Sequence, residues 1–141
     1  MPITLETART IVDAARAKGR ELGLQPLTVA VLDAGGATIL LEREDGASPI
    51  RPKVAHGKAH GAVQVGMGSR GLMKRAEAQA FFIQSLNALT DGALVPVPGG
   101  VLARENGAIV GAVGITGDTS DNDEACAVAG IEAAGLTADA G

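Results

Sequence analysis

The sequence predicts an α+β fold in which helices pack against a central antiparallel sheet. Two pairs of β-branched, apolar segments are each joined by a short glycine-containing turn, the pattern of a β-hairpin. Segments with apolar residues at helical spacing precede, separate and follow these hairpins. Hairpins build antiparallel sheets, so the helices are expected to cover the sheet. The 141 residues fit one domain, 1–141, long enough to bury a core.

The chain begins with a predicted helix followed by the first hairpin. Apolar residues recur at helical spacing from Leu5 to Leu22, with Thr4 as the N-cap and Gly23 as the stop. Strands at Leu27–Leu32 and Thr38–Leu41 then flank the turn "DAGG". A phosphate-binding loop is the alternative for this turn. The hairpin is favoured because a strand follows, whereas phosphate loops lead into a helix.

Two helices are predicted in the middle of the chain, on either side of a glycine-rich break. The first runs from about Lys53 to Val65 and the second from about Lys74 to Leu89. Gly66, Gly68 and Gly71 interrupt the pattern between them. The loop "VPVPGG" follows and leads into the next strand.

A second hairpin and a last helix complete the fold. Strands at Val101–Arg104 and Ala108–Thr116 flank the turn "ENG", and Asn-Gly is a strong hairpin signal. Ser120 is expected to cap this helix, with Asp123 where a capping box usually has Glu or Gln. Four acidic residues lie at or near the start of this helix: Asp118, Asp121, Asp123 and Glu124. The helix dipole favours negative charge there, which explains the cluster without a calcium site.

Composition narrows the classes of partner. The chain has two Phe, no Tyr, no Trp and a net charge of −4, which argues against a nucleic acid partner. The single cysteine, Cys126, cannot form an internal disulfide, so we expect the protein to be in a reducing compartment. We interpret Cys126 itself as a packing residue. We see no signal peptide and no apolar run of about 20 residues, so we expect a cytoplasmic protein without a membrane partner.

Five motifs in order resemble a known family. They are "VAVLDAGG", "EREDGA", "GKA" within a helix, "VPGGV" and "GAVGITGDTSDNDEACAVAG". Together they are similar to the GlcG/HbpS-like family, which is related to the C-terminal domain of PduO-type cobalamin adenosyltransferases. The resemblance implies a profilin-like α+β fold, homo-oligomers and, in some members, haem or corrinoid-related binding. It also implies that other members act as small lyases on aromatic compounds.

The resemblance carries over motif positions but no invariant haem ligand. Secreted members have a signal peptide, and we expect none here. The positions that match are Asp33, Gly35, Gly36, Arg43, Asp45, Gly46, Lys58, Gly99, Gly100, Asp123 and Glu124.

Both histidines of the chain lie on the first central helix. His56 and His60 are four residues apart and share a helix face with Val63 and Met67. Imidazole and thioether both ligate haem iron, so His56 and His60 are candidate metal ligands and Met67 a candidate contact. The alternative places both histidines on a partly exposed face, at a subunit interface or hydrogen-bonded in the core. A zinc site would need a third ligand that the sequence does not supply.

Four further residues are candidates for binding an anionic ligand group. Lys58 points roughly 160–200° away from the histidine pair, since helical residues advance by about 100°. Lys58 and Arg43 could each pair with a carboxylate or a haem propionate. The backbone amides of Gly99 and Gly100 could approach a ligand closely. The alternatives are a salt bridge for Lys58 and a simple turn for the two glycines.

Three hypotheses for function follow. The first is an oligomer that binds haem or a related tetrapyrrole through His56 or His60. The second is a lyase-type enzyme for an aromatic or carboxylate metabolite, with a histidine as acid or base and Lys58 or Arg43 fixing the carboxylate. The third is a structural accessory oligomer without a small ligand. The sequence leaves the ligand and the more important histidine open.

Overall fold

The computed structural model describes residues 2–141, which form helices on both sides of a sheet. The helices are α1 (Leu5–Glu21), α2 (Arg51–Val65), α3 (Ser69–Ala78), α4 (Ala80–Leu89) and α5 (Ser120–Ala133). The strands are β1 (Thr28–Asp33), β2 (Thr38–Arg43), β3 (Gly100–Glu105), β4 (Ala108–Thr116) and β5 (Thr137–Asp139).

The sheet is antiparallel throughout, in the order β2-β1-β4-β3-β5. The two predicted hairpins form most of it and meet where β1 pairs with β4. The prediction of an α+β fold with a central antiparallel sheet is therefore confirmed. Strand β5 was not predicted, because the three residues "TAD" carry no alternating apolar pattern.

The two faces of the sheet are covered by different helices. Helices α1 and α5 enclose the larger core, where Val29 and Val31 of β1 point. Helix α2 covers the other face, where Leu32 packs with Ala59 and Ala62. Neither cluster contains an aromatic side chain, in keeping with a sequence that has only two Phe and no Tyr or Trp.

Glycines allow α2 to lie very close to the sheet. A Cβ atom at Gly114 of β4 would collide with the carbonyl oxygen of Ala55. A Cβ at Gly100 of β3 would collide with the carbonyl oxygen of Lys58. Glycine is therefore required at both positions to hold α2 at this depth.

The prediction of one helix from Lys74 to Leu89 was wrong. The segment forms α3 and α4, which are separated by Gln79 with φ −143° and ψ 70°. The break lets Ile83 of α4 pack with Leu72 of α3 and with Leu94. Tertiary packing thus outweighs a local pattern that favours continuation.

Two predicted helix starts also need correction. Helix α2 begins at Arg51 instead of Lys53, with Pro52 in the first turn, where its missing N–H is not needed. The N-cap of α5 is Thr119, whose hydroxyl accepts from the N–H of Asn122, so the cap predicted at Ser120 was wrong. Asp123 is consequently not used as a capping-box acid.

Cys126 is fully buried in the larger core. Burial raises the pKa of its thiol to about 11, so the reactive thiolate is scarce at neutral pH.

Within residues 2–141, no helix combines the length and the apolar character that crossing a membrane requires.

Candidate ligand-binding site

Two glycines on α2, the helix that carries both histidines, allow the loop after α4 to pack closely against it. A Cβ at Gly57 would lie 2.7 Å from Val95 Cγ2, and one at Gly61 would lie 2.8 Å from Leu94 Cγ. The N–H of Val95 donates to the carbonyl of Gly57 at 3.1 Å. The loop that follows α4 is therefore fixed against α2, beside both histidines.

His56 and His60 stack on each other on the surface of α2. Their ring centroids are 5.0 Å apart and their planes differ by 22°. His60 Nδ1 lies 2.8 Å from the carbonyl oxygen of Ala93. A carbonyl only accepts, so Nδ1 carries the hydrogen, which leaves Nε2 with the lone pair in the neutral ring.

The far edge of the His60 ring lies against the turn between β1 and β2. A Cβ at Gly36 would lie 3.2 Å from His60 Cδ2 and 3.6 Å from Nε2. Gly36 also has φ +90°, which disfavours any other residue there. His60 is therefore held between two loops, with His56 stacked against it.

His56 is the histidine that opens to a groove. Its ring has no hydrogen bond to any other residue within 2–141, so both ring nitrogens are free. Burial, and secondarily the neighbouring His60, lower the pKa of His56. His56 is therefore neutral at pH 7 and has a lone pair to offer.

The groove has a volume of about 300 Å³ and is open to solvent. Its apolar lining comes from Leu41 of β2, Pro52 of α2 and Ala93, and its charged lining from Lys53 and Asp91. Asp91 and Gly92 have φ of 55° and 83°, which turns the chain sharply after α4. Three elements distant in sequence thus build one concave surface around His56.

Lys58 lies on the opposite side of α2 in a buried ion pair. Its Nζ is 3.2 Å from Asp123 Oδ2 and donates to the carbonyl of Ile115 at 2.9 Å. Both side chains are about 2–3% exposed. Burial lowers the pKa of Lys58 and raises the pKa of Asp123, with their mutual attraction opposing both shifts. The structure therefore gives Lys58 an intramolecular partner, away from the groove.

The other predicted site residues are also outside the groove. The Arg43 guanidinium donates to the carbonyl of Ala47, and the Gly100 N–H donates to Ser69 Oγ. Gly99 is buried beside the Lys58 side chain. Met67 packs with the apolar cluster between α3 and α4. Of the predicted set, the structure brings His56 and His60 together at the groove, and Lys58, Gly99 and Gly100 together on the buried side of α2.

The sequence interpretation missed several groove residues. Helical spacing could have indicated Lys53, because it precedes His56 by three residues and therefore lies on the same helix face. No sequence pattern indicates Asp91 and Ala93, because only the fold brings their loop to α2. Within residues 2–141, no three His, Cys, Asp or Glu side chains are grouped to hold a metal ion.

A family model described as "Haem degrading protein HbpS-like" matches residues 3–132. The chain belongs to the HbpS-like family. The resemblance inferred from the five motifs is thus confirmed. A curated relative, a 15.0 kDa protein in the dhaT-dhaS intergenic region of Citrobacter freundii, is 28% identical over 92% of this chain and 90% of its own.

Solved structures share the HbpS-like fold. The crystal structure of HbpS is 30% identical, with a TM-score of 0.79 over 94% of this chain and 89% of that one. A PduOC:haem complex is 23% identical, with a TM-score of 0.86 over 96% of this chain and 97% of that one. ORFY from Klebsiella pneumoniae is 24% identical, with a TM-score of 0.86 over 94% and 90% of the two chains.

Proposed function

We propose that the chain binds haem or a related tetrapyrrole in the groove beside α2, where His56 would hold the iron. One observation carries the proposal. The imidazole of His56 is neutral, has free ring nitrogens and faces an apolar groove, which suits an axial ligand of haem. The family match and the fold shared with a PduOC:haem complex support the same ligand.

The two histidines have different roles in this proposal. His56 would hold the iron, whereas His60 holds the His56 ring by stacking at 5.0 Å and is itself fixed by Ala93. Such supporting contacts keep a ligating imidazole in its binding orientation. When bound, haem supplies a redox-active iron centre.

A haemin titration followed by Soret absorbance tests the proposal. We expect saturable binding at no more than one haem per chain in the wild type and loss of the shifted Soret band in His56→Ala. We expect His60→Ala to weaken binding roughly 10–100-fold, as for other residues that support a ligand. Non-saturating uptake that is equal in all three proteins would indicate adsorption and contradict the proposal.

We also propose that the chain forms a homo-oligomer through α4. The side chains of Phe81 and Leu89 are 86% and 80% exposed, and Ile83 is the buried residue of this helix. Phe81 and Phe82 are the chain's two aromatic residues, and both are exposed on α4. Exposed apolar patches of this kind mark interaction sites. Residues 91–93, which follow α4 in the chain, line the groove.

Light scattering coupled to size-exclusion chromatography tests the oligomer. The double variant Phe81→Ser, Leu89→Ser is expected to give a smaller species than the wild type. The control is Leu5→Ser, which removes an apolar side chain that is 46% exposed on α1. A monomeric wild type, or an unchanged mass in the double variant, argues against α4 as the interface.

A second candidate function is an enzyme for a small aromatic or carboxylate metabolite. The groove volume of about 300 Å³ favours this candidate, because it lies at the lower end of the range for small-ligand sites. A neutral His56 could act as the general base there. A thermal-shift screen of small aromatic acids tests this candidate, since ligands of the native state raise the midpoint. No shift by any acid, together with saturable haemin binding, would exclude it.

A further inference from the structure

Lys53 is a cation without a partner at the mouth of the groove. It lines the groove together with His56, three residues further along the same helix face. Within residues 2–141, its side chain forms no salt bridge or hydrogen bond. Asp91, across the groove, is not within salt-bridge distance of it. The Lys53 ammonium is therefore available to a ligand.

The position of Lys53 in α2 is electrostatically unfavourable for the protein by itself. Lys53 lies in the first turn, where the helix dipole disfavours positive charge. That turn contains no acidic residue to balance it. The other two cations near this end are occupied, since Arg43 donates to Ala47 and Arg51 donates to Thr116 Oγ1 at 2.7 Å. An anionic group on a ligand would satisfy Lys53 where the protein itself does not.

We infer that Lys53 binds a carboxylate of the ligand while His56 contacts its centre. This inference rests on the haem-binding proposal and deepens it, because the carboxylates of haem are its two propionates. Leu41, Pro52 and Ala93 provide the apolar lining of the same groove. Asp91 carries the opposite charge on the other wall, so the carboxylate edge of the ligand turns towards α2. Lys53 therefore fixes the orientation of the ligand in the groove.

Comparing haemin with haemin dimethyl ester isolates this contact, because esterification removes both carboxylate charges and leaves the macrocycle and iron in place. We expect Lys53→Met to weaken haemin binding about tenfold, as for loss of a hydrogen bond between charged groups. The same variant should change the affinity for the ester by less than about twofold. Lys53→Arg keeps the charge and should retain most of the affinity for haemin.

Lys74→Met is the matched control, because Lys74 is an exposed lysine on α3 outside the groove. It should leave the affinity for both ligands unchanged. If Lys53→Met binds haemin as tightly as the wild type, or loses both ligands equally, the inference about Lys53 is overturned while haem binding through His56 stands. If the wild type binds neither ligand saturably, the haem proposal fails, and the assignment of Lys53 fails with it.

Discussion

Lys58→Met is expected to lower the free energy of unfolding by about 3–5 kcal/mol, as when one partner of a buried ion pair is removed. The variant leaves the Asp123 carboxylate buried without its cation, and the carbonyl of Ile115 without its donor. Methionine fills a similar volume, so packing contributes little to the loss. Urea denaturation at pH 7, followed by circular dichroism, measures the change.

A double variant tests whether Lys58→Met loses stability through the unpaired Asp123 charge or through altered packing. In Lys58→Met, Asp123→Asn the buried charge is absent, and the new side-chain amide oxygen can still accept from the N–H of Asp118, as Asp123 does at 3.0 Å. We expect the double variant to recover much of the stability that Lys58→Met loses. Arg70→Met, which breaks an exposed ion pair to Asp121 and a partly buried one to Glu124, should have a far smaller effect. A loss below about 1 kcal/mol in Lys58→Met would contradict this account of the pair.

The hairpins could be predicted from the sequence because their signals are local. The turn "ENG" places Asn106 and Gly107 at φ of 52° and 82°, which few residues other than Asn and Gly adopt readily. The placement of both histidines on one face of a helix could also be predicted, because residues four apart, such as His56 and His60, lie on the same face. The same spacing indicated that Lys58 points away from them, and the structure places it there.

The partners of these residues could not be predicted, because they come from distant parts of the chain. Asp123 is 65 residues from Lys58, and Ala93 is 33 residues from His60. The groove depends on the break at Gln79, since α4 must turn back before Asp91 and Ala93 can reach α2. Local propensity carries no information about that packing, so the sequence indicated His56 as a site residue but not the groove around it.

Gly114→Ala is expected to destabilise the protein by about 3 kcal/mol, the upper end of the usual range for an overpacked core. The new methyl group would collide with the carbonyl of Ala55, a backbone atom that no change of side-chain rotamer can move away. Alanine would otherwise be the better residue in a strand, since it loses less conformational entropy on folding. The collision must therefore push α2 off the sheet or distort β4, and urea denaturation measures the resulting loss.

The same displacement would disturb the groove, because Ala55 directly precedes His56 on α2. We therefore expect Gly114→Ala to weaken haemin binding, although Gly114 is outside the groove lining. Gly35→Ala is the control, since a Cβ there makes only an ordinary 3.5 Å contact with Asp33 Oδ1 and φ is not positive. If Gly114→Ala were as stable as Gly35→Ala and bound haemin normally, the depth of α2 on the sheet would not control the site. A coupled loss of stability and affinity would mean that Gly114 positions α2, the helix that carries His56, for ligand binding.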